Sequence, residues 1–233
     1  AARVLCDLYY RHAITVTAGS IKLDEAGTLA SSVSMSGGTL DADESLTLSG
    51  ALTQAGNITI DVASGKTLTY SGAALNLGAY TLTLSGEGRL SNTYVLGLNN
   101  ANSKLLLSSS ITVDRVSTSL ASLGLDVDGD STVTSLSVGH ITPVSIASGK
   151  TLSGAITVSA GSIKLGEAGT LASSVAMGGG TLDADESLTL SGTLTQSGNI
   201  TIDVADTKTL TYSGAALSLG AYTMTLSGGG TLV

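Results

Sequence analysis

The residues able to do chemistry are few and mostly acidic. Asp126, Asp128 and Asp130 place carboxylates at every second position, as at the opening of a calcium loop built from hard oxygen ligands. The pattern departs from an EF-hand at its sixth position, where Ser131 replaces the expected Gly, and at its twelfth, where Ser137 stands in place of a bidentate Glu. In an extended strand all three acids would also point the same way, toward solvent. A weak calcium site at Asp126, Asp128 and Asp130 is therefore weighed against a solvated acidic turn, and no other cofactor is expected.

Asp41-Ala42-Asp43-Glu44 and its copy Asp183-Ala184-Asp185-Glu186 supply paired carboxylates, the raw material of glycoside or polyuronide chemistry. More than half the chain separates the two clusters, so each would have to work alone. For cations to hold an acidic sugar there are only Arg89, Arg115 and scattered Lys, and an acidic turn that deters edge pairing explains the clusters more simply. No catalytic residue is assigned. Gly65-Lys66-Thr67 and Gly149-Lys150-Thr151 imitate the end of a phosphate-binding loop, but the Gly required five residues before each Gly-Lys is Ile60 or Val144. His12 and His140 are far apart in the chain, and Cys6 is the single cysteine, so neither a metal set nor a disulfide framework is available. Asn57-Ile58-Thr59 and Asn199-Ile200-Thr201 match a glycosylation acceptor that matters only in a eukaryotic secretory setting. Thr-x-Thr triplets begin at 15, 67, 81, 132, 209 and 223. Their irregular spacing argues against the single flat Thr array of an ice-binding solenoid.

The elements that carry these residues follow from composition. Ser (34), Thr (31) and Gly (30) fill 95 of 233 positions, while Phe and Trp are absent and 12% of residues are charged. An apolar fraction of 42% is too high for a disordered chain, so the chain folds, but without large aromatics in its core. The net charge of −8 and the lack of any Lys or Arg cluster argue against a nucleic-acid partner. No apolar run approaches the roughly 18 residues of a spanning helix, so no membrane insertion is expected in this segment. The chain opens on Ala1 with no charged-then-apolar leader, and any export signal is expected upstream or already removed.

Internal repetition dominates everything else. Residues 13–90 recur at 155–232 without a gap, and 66 of the 78 positions are identical. The unit is thus 13–154, followed by a truncated second copy, 155–233. A shorter echo, ASGKTL, occurs at 63–68 and 147–152 and decays to ADTKTL at 205–210. Within the unit, apolar and hydroxyl residues alternate with period two, as in Ile58-Thr59-Ile60-Asp61-Val62, and Gly or Ser turns interrupt every seven to ten residues. Helix is disfavoured by the β-branched residues and the glycine spacing.

Short strands and evenly spaced turns fit a sandwich, a barrel or a solenoid. The absence of Phe and Trp decides for the solenoid, whose aliphatic ladders fill a lumen without them. The expected fold is all-β: a single β-helix of about 10–12 coils with three sheets, each coil about 20–24 residues. The offset of 142 would then be six or seven coils, and the ASGKTL offset of 84 would be four. Residues 1–12, with Cys6, Tyr9, Tyr10, two Arg and His12, break the pattern and read as a cap, a joint or a stretch unrelated to the fold.

GAYTLTLSGEGRL at 78–90, ESLTLSG at 44–50 and 186–192, and GKTLTYSG at 65–72 resemble the strand repeats of autotransporter passenger domains and of filamentous-haemagglutinin-type adhesins. The resemblance implies a right-handed β-helix in a secreted or cell-surface protein. It also implies a structural or adhesive role, without enzymatic activity, as a stalk or multivalent surface. Implied partners are glycans, surface proteins or other copies of the chain. A polysaccharide-degrading β-helix (lyase or hydrolase) is the alternative, and an ice-binding solenoid a minor one. The exposed pairs Tyr70/Tyr212 and Tyr80/Tyr222 are candidate stacking positions, set against a role closing the coil corners.

Overall fold

A computed structural model describes residues 13–233 and the backbone of the short strand Ala2–Arg3. The rest of the stretch 1–12, Cys6 included, lies outside the described residues. None of the described residues is helical; the chain winds as parallel strands into a β-solenoid of about 11 turns.

Each coil visits three faces. In the first complete coil, Ile14–Val16 lies on one face (B), Ser20–Leu23 on the next (A) and Gly27–Leu29 on the third (C), before Val33–Met35 returns to B. Face A holds one strand per coil in a 12-stranded parallel sheet, which Ala2–Arg3 enters by pairing with Ser20–Leu23. Rung spacing along the chain is uneven on this face, short from Ile21 to Leu40 and long from Ile60 to Leu84. The repeat offset of 142 is seven rungs, from Ser20–Leu23 to Ser162–Gly166, and the ASGKTL echo is four, from Thr67–Tyr70 to Thr151–Val158.

The period-two pattern places its apolar residues in the lumen. Leu23, Leu40, Leu84, Leu105, Val127 and Leu165 are buried on face A, and Leu48, Leu68, Leu90, Val113 and Leu152 line face C. Like residue stands over like, so each rung covers the last with aliphatic surface, at about 25 cal/mol per Å² removed from water. The corners can stack this closely only because some of them lack a Cβ. A Cβ on Gly72 would lie 2.1 Å from the Gly50 carbonyl oxygen, and one on Gly50 1.9 Å from that of Ser31.

The solenoid does not keep three sides throughout. Between Leu90 and Leu96 five residues turn the corner from face C to face B, but between their rung partners Val113 and Val116 only two do. Faces C and B accordingly merge into single long strands, Thr112–Thr118, Ser131–Val138 and Thr151–Val158. Each merged strand bends where alternation fails and neighbouring residues both face out, Asp114 with Arg115 and Thr134 with Ser135. Separate strands return with Thr170–Leu171 and Ser174–Met177.

Asn92 makes the transition possible. Its side chain is 3% exposed, and its amide nitrogen donates to the carbonyls of Tyr94 (2.8 Å) and Arg115 (2.7 Å). Its Oδ1 accepts from the backbone N–H of Asp114 (3.2 Å) and of Arg115 (3.1 Å). One buried amide thus satisfies the backbone of both the last sharp corner and the first flattened one.

Candidate functional site

The sequence-derived acids fall on the outer surface, each tied to its own neighbours. Asp41 and Asp61 are rung partners on face A. Lys22, one rung before, bridges Asp41 at 3.5 Å and also pairs with Asp43, while Asp61 accepts from the Ser85 hydroxyl. Lys66 reaches Glu44 at 2.7 Å, around the corner and away from the Asp cluster. Asp41, Asp43, Asp61 and Lys66 therefore do not converge. The second copy repeats the arrangement through Lys164 with Asp183 and Asp185, and Lys208 with Glu186.

Burial holds the Asp41 carboxyl above the usual carboxylate range; Asp43 adds to the shift and Lys22 opposes it. Asp183 is raised by burial too, against the pull of Lys164 and with help from Asp185 and Asp203. Lys22 and Lys164 are raised in turn, chiefly by their hydrogen bonds to Asp43 and Asp185.

Asp126, Asp128 and Asp130 are not drawn into one shell. Asp126 pairs with Lys104 on face A, Asp128 is exposed, and Asp130 Oδ1 accepts the Thr151 N–H at 2.9 Å. Among the described residues no three His, Cys, Asp or Glu side chains gather as a metal site.

Tyr70 is not exposed as its pattern suggested. It is 3% exposed in the lumen, and its hydroxyl accepts the N–H groups of Leu52 (3.0 Å) and Ala73 (3.3 Å), closing the corner from within. Tyr212 does the same work, accepting from Leu194 N–H at 3.3 Å and donating to the Ala215 carbonyl at 2.5 Å. Tyr80 and Tyr222 remain at the surface. Asn57 and Asn199, the acceptor-pattern asparagines, each take the N–H of the next rung, Thr81 at 2.9 Å and Thr223 at 3.0 Å.

Hydroxyls line up on the outer faces more regularly than the triplet spacing implied. Thr28, Thr47, Thr69 and Ser91 form one column on face C, and Ser20, Thr39, Thr59 and Thr83 one on face A. Variable coil length hides these columns from any single period. Charge interrupts the C-face array at its centre, where Arg89 Nη2 donates to Asp114 Oδ1 at 2.7 Å and Ser91 Oγ to Asp114 Oδ2 at 2.8 Å.

This interruption adjoins a polar depression of about 490 Å³, where the corner at 93–95 stands over the first merged strands. Arg89, Val95, Asp114, Arg115, Ser135 and Ser137 contribute to its lining. On sequence alone Arg89 and Arg115 count only as too few cations for an enzyme. The signal that could have found the place is the break in alternation at Val113-Asp114-Arg115-Val116, two polar residues where the pattern allows one. Inside the lumen, a void of about 10 Å³ near Tyr70 and Asn92 has room for one water at most.

The fold and its surface define a parallel β-solenoid with charge and hydroxyl ladders on its outer faces. Comparison with family models, with curated proteins and with solved structures finds no match for the chain.

Proposed function

We propose that this chain is a structural and adhesive segment of a large secreted or cell-surface protein, a stiff spacer whose lateral faces make multivalent contacts. The observation that carries the reading is the uninterrupted C-face sheet, eleven rungs from Gly27–Leu29 to Thr231–Leu232, running through both copies and the flattened coils between them. Backbone hydrogen bonds and aliphatic ladders run along the axis, so bending the rod would break several at once. Repeated outward columns then present the same weak contact many times, which raises avidity without a deep pocket. Adding or removing units tunes length and valency together, and two copies identical at 66 of 78 positions are what such expansion leaves.

The acids support no enzymatic reading, because each cluster is engaged with its own lysine on an outer face. The test is binding of the folded chain to arrays of glycans and matrix proteins, with and without calcium. Saturable binding to a defined class is the expected result, unchanged by chelator because Asp126 and Asp130 already have protein partners. Absence of binding would reduce the role to a spacer, and turnover of a polysaccharide would overturn the reading.

A further inference from the structure

We infer that the depression beneath the 93–95 corner is a binding site for an acidic polysaccharide, with Arg115 as the group that takes its carboxylate or sulfate. The inference rests on the adhesive half of the proposed function. Most of the chain's cations are already occupied: of eight Lys and Arg side chains described, Lys22, Lys66, Lys104, Lys164, Lys208 and Arg89 sit in ion pairs. Arg115 is exposed and, among the described residues, has no carboxylate in ion-pair range. It follows directly on Asp114, whose own charge is taken up by Arg89 at 2.7 Å. The depression therefore carries a net positive charge on a chain whose overall charge is −8.

The backbone holds Arg115 in place. Its N–H and its carbonyl both bond to the buried Asn92 side chain, at 3.1 Å and 2.7 Å, so the bend that turns the guanidinium outward is fixed from inside. A guanidinium binds carboxylate or sulfate through two parallel hydrogen bonds, which an ammonium cannot reproduce. Around it, Ser117, Thr134, Ser135 and Ser137 offer hydroxyls from two successive rungs, with Arg115 over Ser135 and Ser117 over Ser137. That lining suits the hydroxyls of a sugar.

An acidic peptide fits less well. Peptides bind sheets mainly by adding a strand to a free edge, and here Thr112–Thr118 is hydrogen-bonded on one side to Arg89–Asn92 and Leu96–Leu98 and on the other to Ser131–Val138. No edge is open in the floor. Arg89, the flanking arginine with a counterpart in the second copy, is Thr231 there.

The test uses the whole chain in affinity electrophoresis against polygalacturonate, dextran sulfate, neutral dextran and polyglutamate. The expected result is retardation by the two acidic polysaccharides and not by dextran, weakening as salt is raised. Arg115→Ala should cost at least about tenfold in affinity and Arg115→Lys an intermediate amount, since it keeps the charge and loses the fork. Lys150→Ala, removing the other cation that has no ion pair among the described residues, should change nothing, and circular dichroism of each variant verifies the fold. Equal loss in Lys150→Ala would mean diffuse attraction and overturn the site. Retention unaffected by Arg115→Ala would also overturn it while leaving multivalent surface binding intact. Preference for polyglutamate would assign the site to an acidic protein and overturn the saccharide assignment, and no retardation by any polyanion would remove it.

Discussion

Leu84 and Leu226 hold the same place in two stretches of nearly identical sequence, yet one is fully enclosed and the other 61% exposed. The difference lies in the next rung. Leu84 is covered by Leu107, whereas Leu226 stands on the last described rung of face A. In a solenoid, burial is conferred by the neighbouring coil, so equal sequences acquire unequal energetic weight by position along the axis. A second contrast has the same logic: the three-sided coils of the duplicated segments and the flattened coils between them share ladders but differ in how faces B and C meet. Two of the sharp corners are closed by the Tyr70 and Tyr212 hydroxyls, and Asn92 bridges the corner at 93–95 to the first bend.

The largest expected effect breaks the first contrast. Leu84→Ala should destabilise the chain by about 2–5 kcal/mol, and Leu226→Ala by less than about 0.5 kcal/mol, as read from denaturant midpoints. Equal costs would mean that the end rung is covered in solution. Next comes Asn92→Ala, expected to cost about 1–3 kcal/mol because the Asp114 and Arg115 backbone groups lose their partner. Asn102→Ala, at an exposed turn, is the control and should be near neutral.

A smaller effect separates the copies at one tight turn. Lys66 N–H bonds to the Ala63 carbonyl at 3.0 Å across Ser64-Gly65, and Lys208 N–H to Ala205 at 3.0 Å across Asp206-Thr207. Gly65 takes φ +71°, and Thr207, a β-branched residue, takes φ +66° in the same turn. Left-handed backbone costs such a residue about 1–2 kcal/mol. Thr207→Gly should therefore stabilise by about 1 kcal/mol and Gly65→Thr destabilise by a similar amount, measured as opposite shifts in melting temperature.

The smallest effect is the pH dependence from Asp41 and Asp183. Their folded pKa values lie above the unfolded ones, so the folded state binds protons more tightly and these two groups lose it stability as pH rises through the range just above 3.8. Asp41→Asn with Asp183→Asn should remove that slope, leaving a flatter melting-temperature profile in the pH range just above 3.8. An unchanged profile would show that both carboxylates titrate as in water.

Much of the fold was legible because period-two alternation and stacked glycine corners are local. The ASGKTL echo proved to be one turn used four coils apart, and the absence of Phe and Trp pointed correctly to aliphatic ladders. Lateral neighbours were not legible, since rungs of unequal length scramble any fixed offset. Hence Lys22 with Asp43, Arg89 with Asp114, and the hydroxyl columns emerge only from the register. For Tyr70 the sequence leaves stacking and corner closing side by side, because a Tyr ending an alternating strand reads the same whether its ring closes a corner from inside or lies outside. Its hydroxyl bonds to Leu52 and Ala73 make the difference.

Both copies and the flattened coils should behave as one stiff rod. Thr53 and Thr195 are exposed, equivalent positions on face B, seven rungs apart. Spin labels at Thr53→Cys and Thr195→Cys, in a Cys6→Ser background, should give a single narrow distance distribution near about 34 Å by double electron–electron resonance, from about 4.8 Å per rung. A broad or bimodal distribution reaching well beyond that distance would mean that the copies fold as separate, flexibly joined units, and would contradict the account.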